Sequence, residues 1–163
     1  MKGYVEKLLN EYPRMVRERE RLKKQIEDCN FITADELISV MYYSHPQGER
    51  VQCSGISDKT ARIAIEYREK LERMNHELIF PMQRRLQVLE GEIGFLEASI
   101  DDLPEEMYEV MHELVIEGFT WEQVANDLFI SISKLQKLRR DAINQLIRAY
   151  QKRESEEAIL LLS

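Results

Sequence analysis

Apolar residues at Met1, Val5, Leu8, Tyr12, Met15, Leu22, Ile26 and Cys29 recur at alternating spacings of three and four, with Arg19 the only polar member of the series. That spacing is the seam of a coiled coil, so the first thirty residues are expected to form a helix that needs a helical partner. Pro13 lies within the pattern. Lacking an N–H, it leaves two readings, a kink at the proline or a helix that starts just before it.

A capping box, Thr33-Ala-Asp-Glu36, then opens a short apolar run through Leu37, Ile38, Val40 and Met41, which predicts a helix of about three turns. The stretch YYSHPQGERVQCSGIS follows, with Pro46, Gly48, Gly55 and several serines, and reads as an irregular loop at about 43–57 with room for one extended stretch around Val51. From Ser57, a suitable N-cap, to Ile100 the pattern is helical again. Ala64, Tyr67, Leu71, Met74 and Leu78 share one register, and Met82, Leu86, Leu89, Ile93, Leu96 and Ile100 another. The register slips near Pro81, which predicts a kink or two abutting helices.

Asp102, Pro104, Glu105 and Glu106 form a start signal, because carboxylates suit free helix amides and proline has no amide to lose. Three shorter helical patterns follow: Leu103 to Glu117, ended by Gly118; Trp121 to Leu128, introduced by a capping box of Thr120 and Gln123; and Ile132 to about Lys152, for which Ser131 is the cap. The pattern thus predicts an all-α protein. A coiled-coil-like helical body over 1–101 is followed by a helix-turn-helix domain over 102–153 and a tail over 154–163, acidic and then apolar, that the pattern leaves open.

The helix-turn-helix expectation rests on six positions. Val124, Ala125, Leu128, Ile130, Leu135 and Leu138 fall where two crossed helices bury apolar groups, and the small Ala125 allows close approach. Phe129 stands where a glycine is usual, so the turn is expected to take a conformation that a bulky residue tolerates. On the second helix Leu135, Leu138, Ala142 and Leu146 make one face, leaving Ser133, Gln136, Lys137, Arg140 and Asn144 on the other. Arg and Lys can pair with guanine edges and Gln and Asn with adenine, while Lys134 and Arg139 flank them as phosphate contacts.

Composition narrows the field. A third of the 163 residues are charged and only six are glycine and four proline, a bias toward long helices. The net charge of −7 argues against indiscriminate nucleic-acid binding, yet the charge is segregated. Residues 131–153 carry seven Lys or Arg against one Asp, whereas 99–130 carry nine Asp or Glu and no Lys or Arg. A basic helix end also complements the macrodipole, and a solvated face is normally charged, so a purely structural reading of the same residues stays open. The interleaved Arg14, Arg17, Glu18, Arg19, Glu20, Arg21, Lys23 and Lys24 read first as a solvated coiled-coil face.

Cys29 and Cys53 are too few for a disulfide scaffold and match no zinc pattern with His45, His76 or His112, so no metal or other cofactor is expected. Ser44, His45 and Cys53 supply no oxyanion site or orienting acid, and the chain is not expected to be an enzyme. No apolar run spans a bilayer, and MKGYVEKLLNEYPR lacks the apolar core of a secretory signal, which points to the cytoplasm and away from membranes.

The span LPEEMYEVMHELVIEGFTWEQVANDLFISISKLQKLRRDAINQLIRAY resembles region 4 of sigma-70-type transcription factors, through Gly118, Thr120, Val124, Ala125, Leu128, Ser131, Leu135 and Arg139. With YPRMVRERERLKKQI and SHPQGERVQCSGISDKTARIAIEYREKLERMN preceding it, most of the chain resembles the ArpU-like late transcription regulators of phages and prophages in Gram-positive bacteria. No sigma region 2 is visible, which favours an accessory regulator over a complete sigma factor. The resemblance implies double-stranded DNA as the partner, with RNA polymerase a second, and the body implies a homodimer. Two alternatives remain, a phage DNA-packaging protein of small-terminase type and a helical interaction module that binds polymerase or another protein.

Overall fold

The computed structural model describes residues 1–30 and 58–162, and they are mostly helical, with no strand among the described residues. The protein is all-α to that extent. The helices are α1 (Lys2–Asn30), α2 (Asp58–Met74), α3 (Phe80–Asp101), α4 (Glu105–Met111), α5 (Trp121–Asp127) and α6 (Ile132–Leu162). The Thr33–Glu36 capping box, the loop at 43–57 with Ser44, His45 and Cys53, and the Ser57 cap lie outside the described residues, as do the side chains of Ala64 and Met74.

Two compact units divide the chain, one made of Met1–Arg19 with Leu89–Ser163, the other of Glu20–Val88. In the first, α1 buries Val5, Leu8, Leu9, Tyr12 and Met15, the seam that the three-four spacing predicts with Leu9 added and Met1, which is exposed, left out. Pro13 does not start the helix. It lies inside α1, on the exposed side of a helix that begins at Lys2. The packing of α1 with α3 and α6 shows in specific contacts. Tyr12 Oη donates to Glu97 Oε1 at 2.6 Å, and the Tyr150 ring receives Tyr4 and Phe95 edge-on at 5.9 and 4.7 Å. Leu89, Ile93, Leu96 and Ile100 of α3 and Ala142, Ile143, Leu146 and Tyr150 of α6 are buried in the same unit. Each such large side chain contributes about 1.5–3 kcal/mol relative to exposure, which is what holds short elements in place.

In the second unit, Leu22 and Ile26 of α1 and Ile79 are buried. At the register slip near Pro81 two helices abut through a π turn. Asn75–Ile79 form this turn, which joins α2 directly to α3. Proline has no amide, and its ring crowds the carbonyl four residues back, here that of Glu77; a wider turn relieves this crowding. The extra residue rotates the pattern by about 100°, the angle of one helical position. Leu78, expected in the seam, is accordingly exposed and Ile79 is buried instead.

The C-terminal third departs from expectation at both ends. At its start Pro104 is the N-cap of α4, with no side chain capping the helix, so Asp102 and Leu103 stay outside it. At its end α6 does not stop near Lys152 but continues to Leu162. Lys152–Glu156 and Arg153–Glu157 ion pairs at 3.7 and 2.8 Å bridge successive turns across that point, each favouring helix by a few tenths of a kcal/mol. Arg153 is also anchored to Glu92 at 2.8 Å and lies over Phe95, fastening the middle of α6 to α3.

Candidate nucleic-acid interface

The site is assembled from α4, α5 and α6, all in one unit. A π turn over His112–Ile116 extends α4, and Gly118, at φ 73°, turns the chain toward α5 while Phe119 N–H donates back to Glu113 O. Thr120 caps α5 with the full reciprocal box. Its Oγ1 accepts from Gln123 N at 3.3 Å, and Gln123 Oε1 accepts from Thr120 N at 2.9 Å. Two turns later the helix ends. Ser131 Oγ accepts from Lys134 N at 3.2 Å and starts α6.

The turn between α5 and α6 corrects one expectation. Phe129 takes φ 53°, the left-handed conformation that bulky residues avoid, and its side chain is 94% exposed. The reason lies in the end of α5. Ile130 N donates to Ala125 O at 3.0 Å and Phe129 N to Asn126 O at 3.3 Å, the paired bonds of a Schellman motif, which demands a left-handed residue at that position. Satisfying the last carbonyls of α5 and turning Ile130 inward outweigh the strain. Ile130 packs with Leu114, Leu128 and Leu138 against a buried cluster of Val110, Val124, Ala125 and Leu135. All six positions that define the crossing in the sequence therefore meet in one cluster.

Burying Leu135, Ala142, Ile143 and Leu146 dictates what α6 shows to solvent. Ser133, Lys134, Gln136, Lys137, Arg140 and Asn144 are exposed, as their spacing requires. Arg139 is not with them. It is half-buried at the edge of the core face, its guanidinium 5.7 Å from the centre of the Trp121 ring. An arginine stacked in this way ties α6 to the start of α5, by about 0.5–1 kcal/mol at a partly exposed site. Lys134 is also engaged, its Nζ 3.1 Å from Glu106 Oε1 of α4, and Arg140 Nε lies 3.9 Å from Asp141 Oδ1.

The nine acidic residues of 99–130 lie at the end of α3, on α4 and α5 and in the segments beside them, and the seven cations of 131–153 lie on the first two-thirds of α6, where Asp141 is the one acidic residue. Crowding of carboxylates is felt most at Glu113, whose Oε2 is buried without a hydrogen-bond partner. Burial pushes its carboxyl above the usual range, and Asp127, Glu109 and Glu117 add to the effect, against a lowering by His112. Among the described residues no group of three or more His, Cys, Asp or Glu side chains could hold a metal ion, and no helix is long and apolar enough to cross a membrane.

The sequence assigned Trp121 and Glu106 to helix starts and not to the site. Trp121 had a signal, as the single tryptophan of the chain placed immediately after a capping threonine. Glu106 had none, because its partner lies 28 residues away. Comparison of the chain with protein-family models, with curated proteins and with solved structures gives no match.

Proposed function

We propose that the protein is a sequence-specific DNA-binding transcription regulator of a phage, prophage or other mobile element, acting in the cytoplasm without catalysis or cofactor. Residues 102–153 serve as a helix-turn-helix domain of the sigma-70 region 4 type, and α6 enters the major groove. The observation that carries this reading is the exposed face of α6, which presents Ser133, Gln136, Lys137, Arg140 and Asn144 together on a helix braced from behind by α5. Helix-turn-helix proteins read bases with such a face. Bidentate donors and acceptors of the Arg, Gln and Asn type suit guanine and adenine edges, and lysines suit phosphates.

Arg139 has a changed role in this reading. Stacked on Trp121, it braces the angle between α5 and α6. The long helices of the body act as a coiled coil that sets the oligomeric state. A two-fold dimer then requires two half-sites separated by a whole number of helical turns.

The test is anisotropy of labelled DNA from upstream of the coding region, titrated at two salt concentrations with the wild type and with the Lys137→Ala/Arg140→Ala double variant. Saturable binding that weakens with salt and is lost in the variant supports the reading. Absence of binding by a folded wild type across the neighbouring intergenic DNA refutes it, and would favour the protein-interaction alternative.

A further inference from the structure

Lys134 is in a locally unfavourable place. It is the third residue of α6, where the helix presents partial positive charge and favours carboxylates over cations. The helix itself therefore gives a lysine there no stabilisation. Its partner comes from another element: Glu106, in the first turn of α4, accepts a hydrogen bond from Lys134 Nζ at 3.1 Å. The two side chains are 48% and 67% exposed, so water competes for both and the pair is easily exchanged. A phosphate oxygen carries the same charge and accepts from an ammonium in the same way.

We propose that Glu106 sets the DNA affinity of the interface, holding Lys134 in the free protein so that a DNA phosphate must displace its carboxylate before the lysine can join the complex. The inference rests on the DNA-binding reading above. It explains how a chain of net charge −7 can carry a basic helix without offering all of its cations to any passing duplex. The competition is between a carboxylate and a phosphate, so it weakens binding to all sequences and leaves the choice among them to Gln136, Lys137, Arg140 and Asn144.

A double-mutant cycle tests it, with wild type, Glu106→Gln, Lys134→Gln and the double variant titrated against the duplex identified above and an unrelated duplex. Glu106→Gln is expected to bind both duplexes about two- to fivefold more tightly at low salt, the range of an exposed ion pair, and to lose most of that gain at high salt. In the Lys134→Gln background the same substitution should change affinity little. An equal gain in both backgrounds would mean that Glu106 acts only through general repulsion, and no gain at all would mean that the pair does not compete; either result overturns the inference alone. If none of the four proteins binds either duplex saturably while circular dichroism shows them folded, the DNA reading falls together with it.

Discussion

Replacing Phe129 by glycine should stabilise the protein, although it deletes the whole of a large aromatic side chain. At φ 53° an L-residue costs about 1–2 kcal/mol relative to its preferred backbone, and glycine does not. Glycine gives back about 0.4–1 kcal/mol through the greater freedom of the unfolded chain. The ring itself contributes little. With the residue 94% exposed, only some 6% of roughly 200 Å² is withheld from water, worth about 0.3 kcal/mol. The balance is a gain of about 0.5 kcal/mol, or a rise in Tm of about 1–2 °C in a chain of this size. The sharper readout is the comparison of Phe129→Gly with Phe129→Ala by urea denaturation, since both remove the ring and only glycine removes the strain. Glycine should be the more stable by about 0.5–1 kcal/mol, the reverse of its standing in a helix interior. Equal midpoints for the two variants, or a more stable alanine, would refute the left-handed Schellman end of α5 and with it the account of how the turn is closed.

Ala125→Leu should lower the unfolding free energy by about 1–3 kcal/mol, because the α5–α6 crossing has no room for three more carbons; an unchanged denaturation midpoint would contradict the close packing there. Glu113→Gln should raise stability at neutral pH by roughly 1 kcal/mol, because it no longer buries a charge beside Asp127, Glu109 and Glu117. Because the folded state holds this carboxyl above its ordinary value of 4.5, the native protein loses stability as pH rises through that region, so the advantage of glutamine should fade as pH falls below 4.5 in a pH series of thermal melts. Tyr12→Phe should cost about 1–2 kcal/mol in chemical denaturation by removing the 2.6 Å bond to Glu97. Burial raises the Tyr12 hydroxyl, with the bond to Glu97 adding to it, and burial followed by Glu92 raises that of Tyr150. Their contribution is therefore complete below pH 10 and is lost as pH climbs above it, so the wild type should destabilise steeply in alkali and Tyr12→Phe less so.

Much of the candidate interface was readable in the sequence because its determinants are local. The Thr120–Gln123 box, the Ser131 cap and the six apolar positions of the crossing each act within a few residues, and periodicity alone separates the buried Leu135 and Leu146 from the exposed Gln136 and Arg140. Arg139 was misplaced because a helical position at the border between two faces is decided by its neighbour in space, here Trp121. Phe129 was misjudged because residue preference argues against a left-handed aromatic, while the carbonyls at the end of α5 require one.

The helical class, most of the N-terminal seam and the Thr120 and Ser131 caps were set by the sequence itself, since each arises from hydrogen bonds or hydrophobic periodicity within a single element. Tertiary structure decided that residues 1–19 complete the unit containing α4, α5 and α6, through Tyr4 and Tyr12 against residues some 85 to 146 positions away. It also decided that Lys134 meets Glu106. Apolar stripes on amphipathic helices are chemically alike, so a pattern shows that a face must be covered and leaves open by which helix; only the simultaneous filling of one core by several such faces selects the partners, and the polar contacts at the margins follow from that choice.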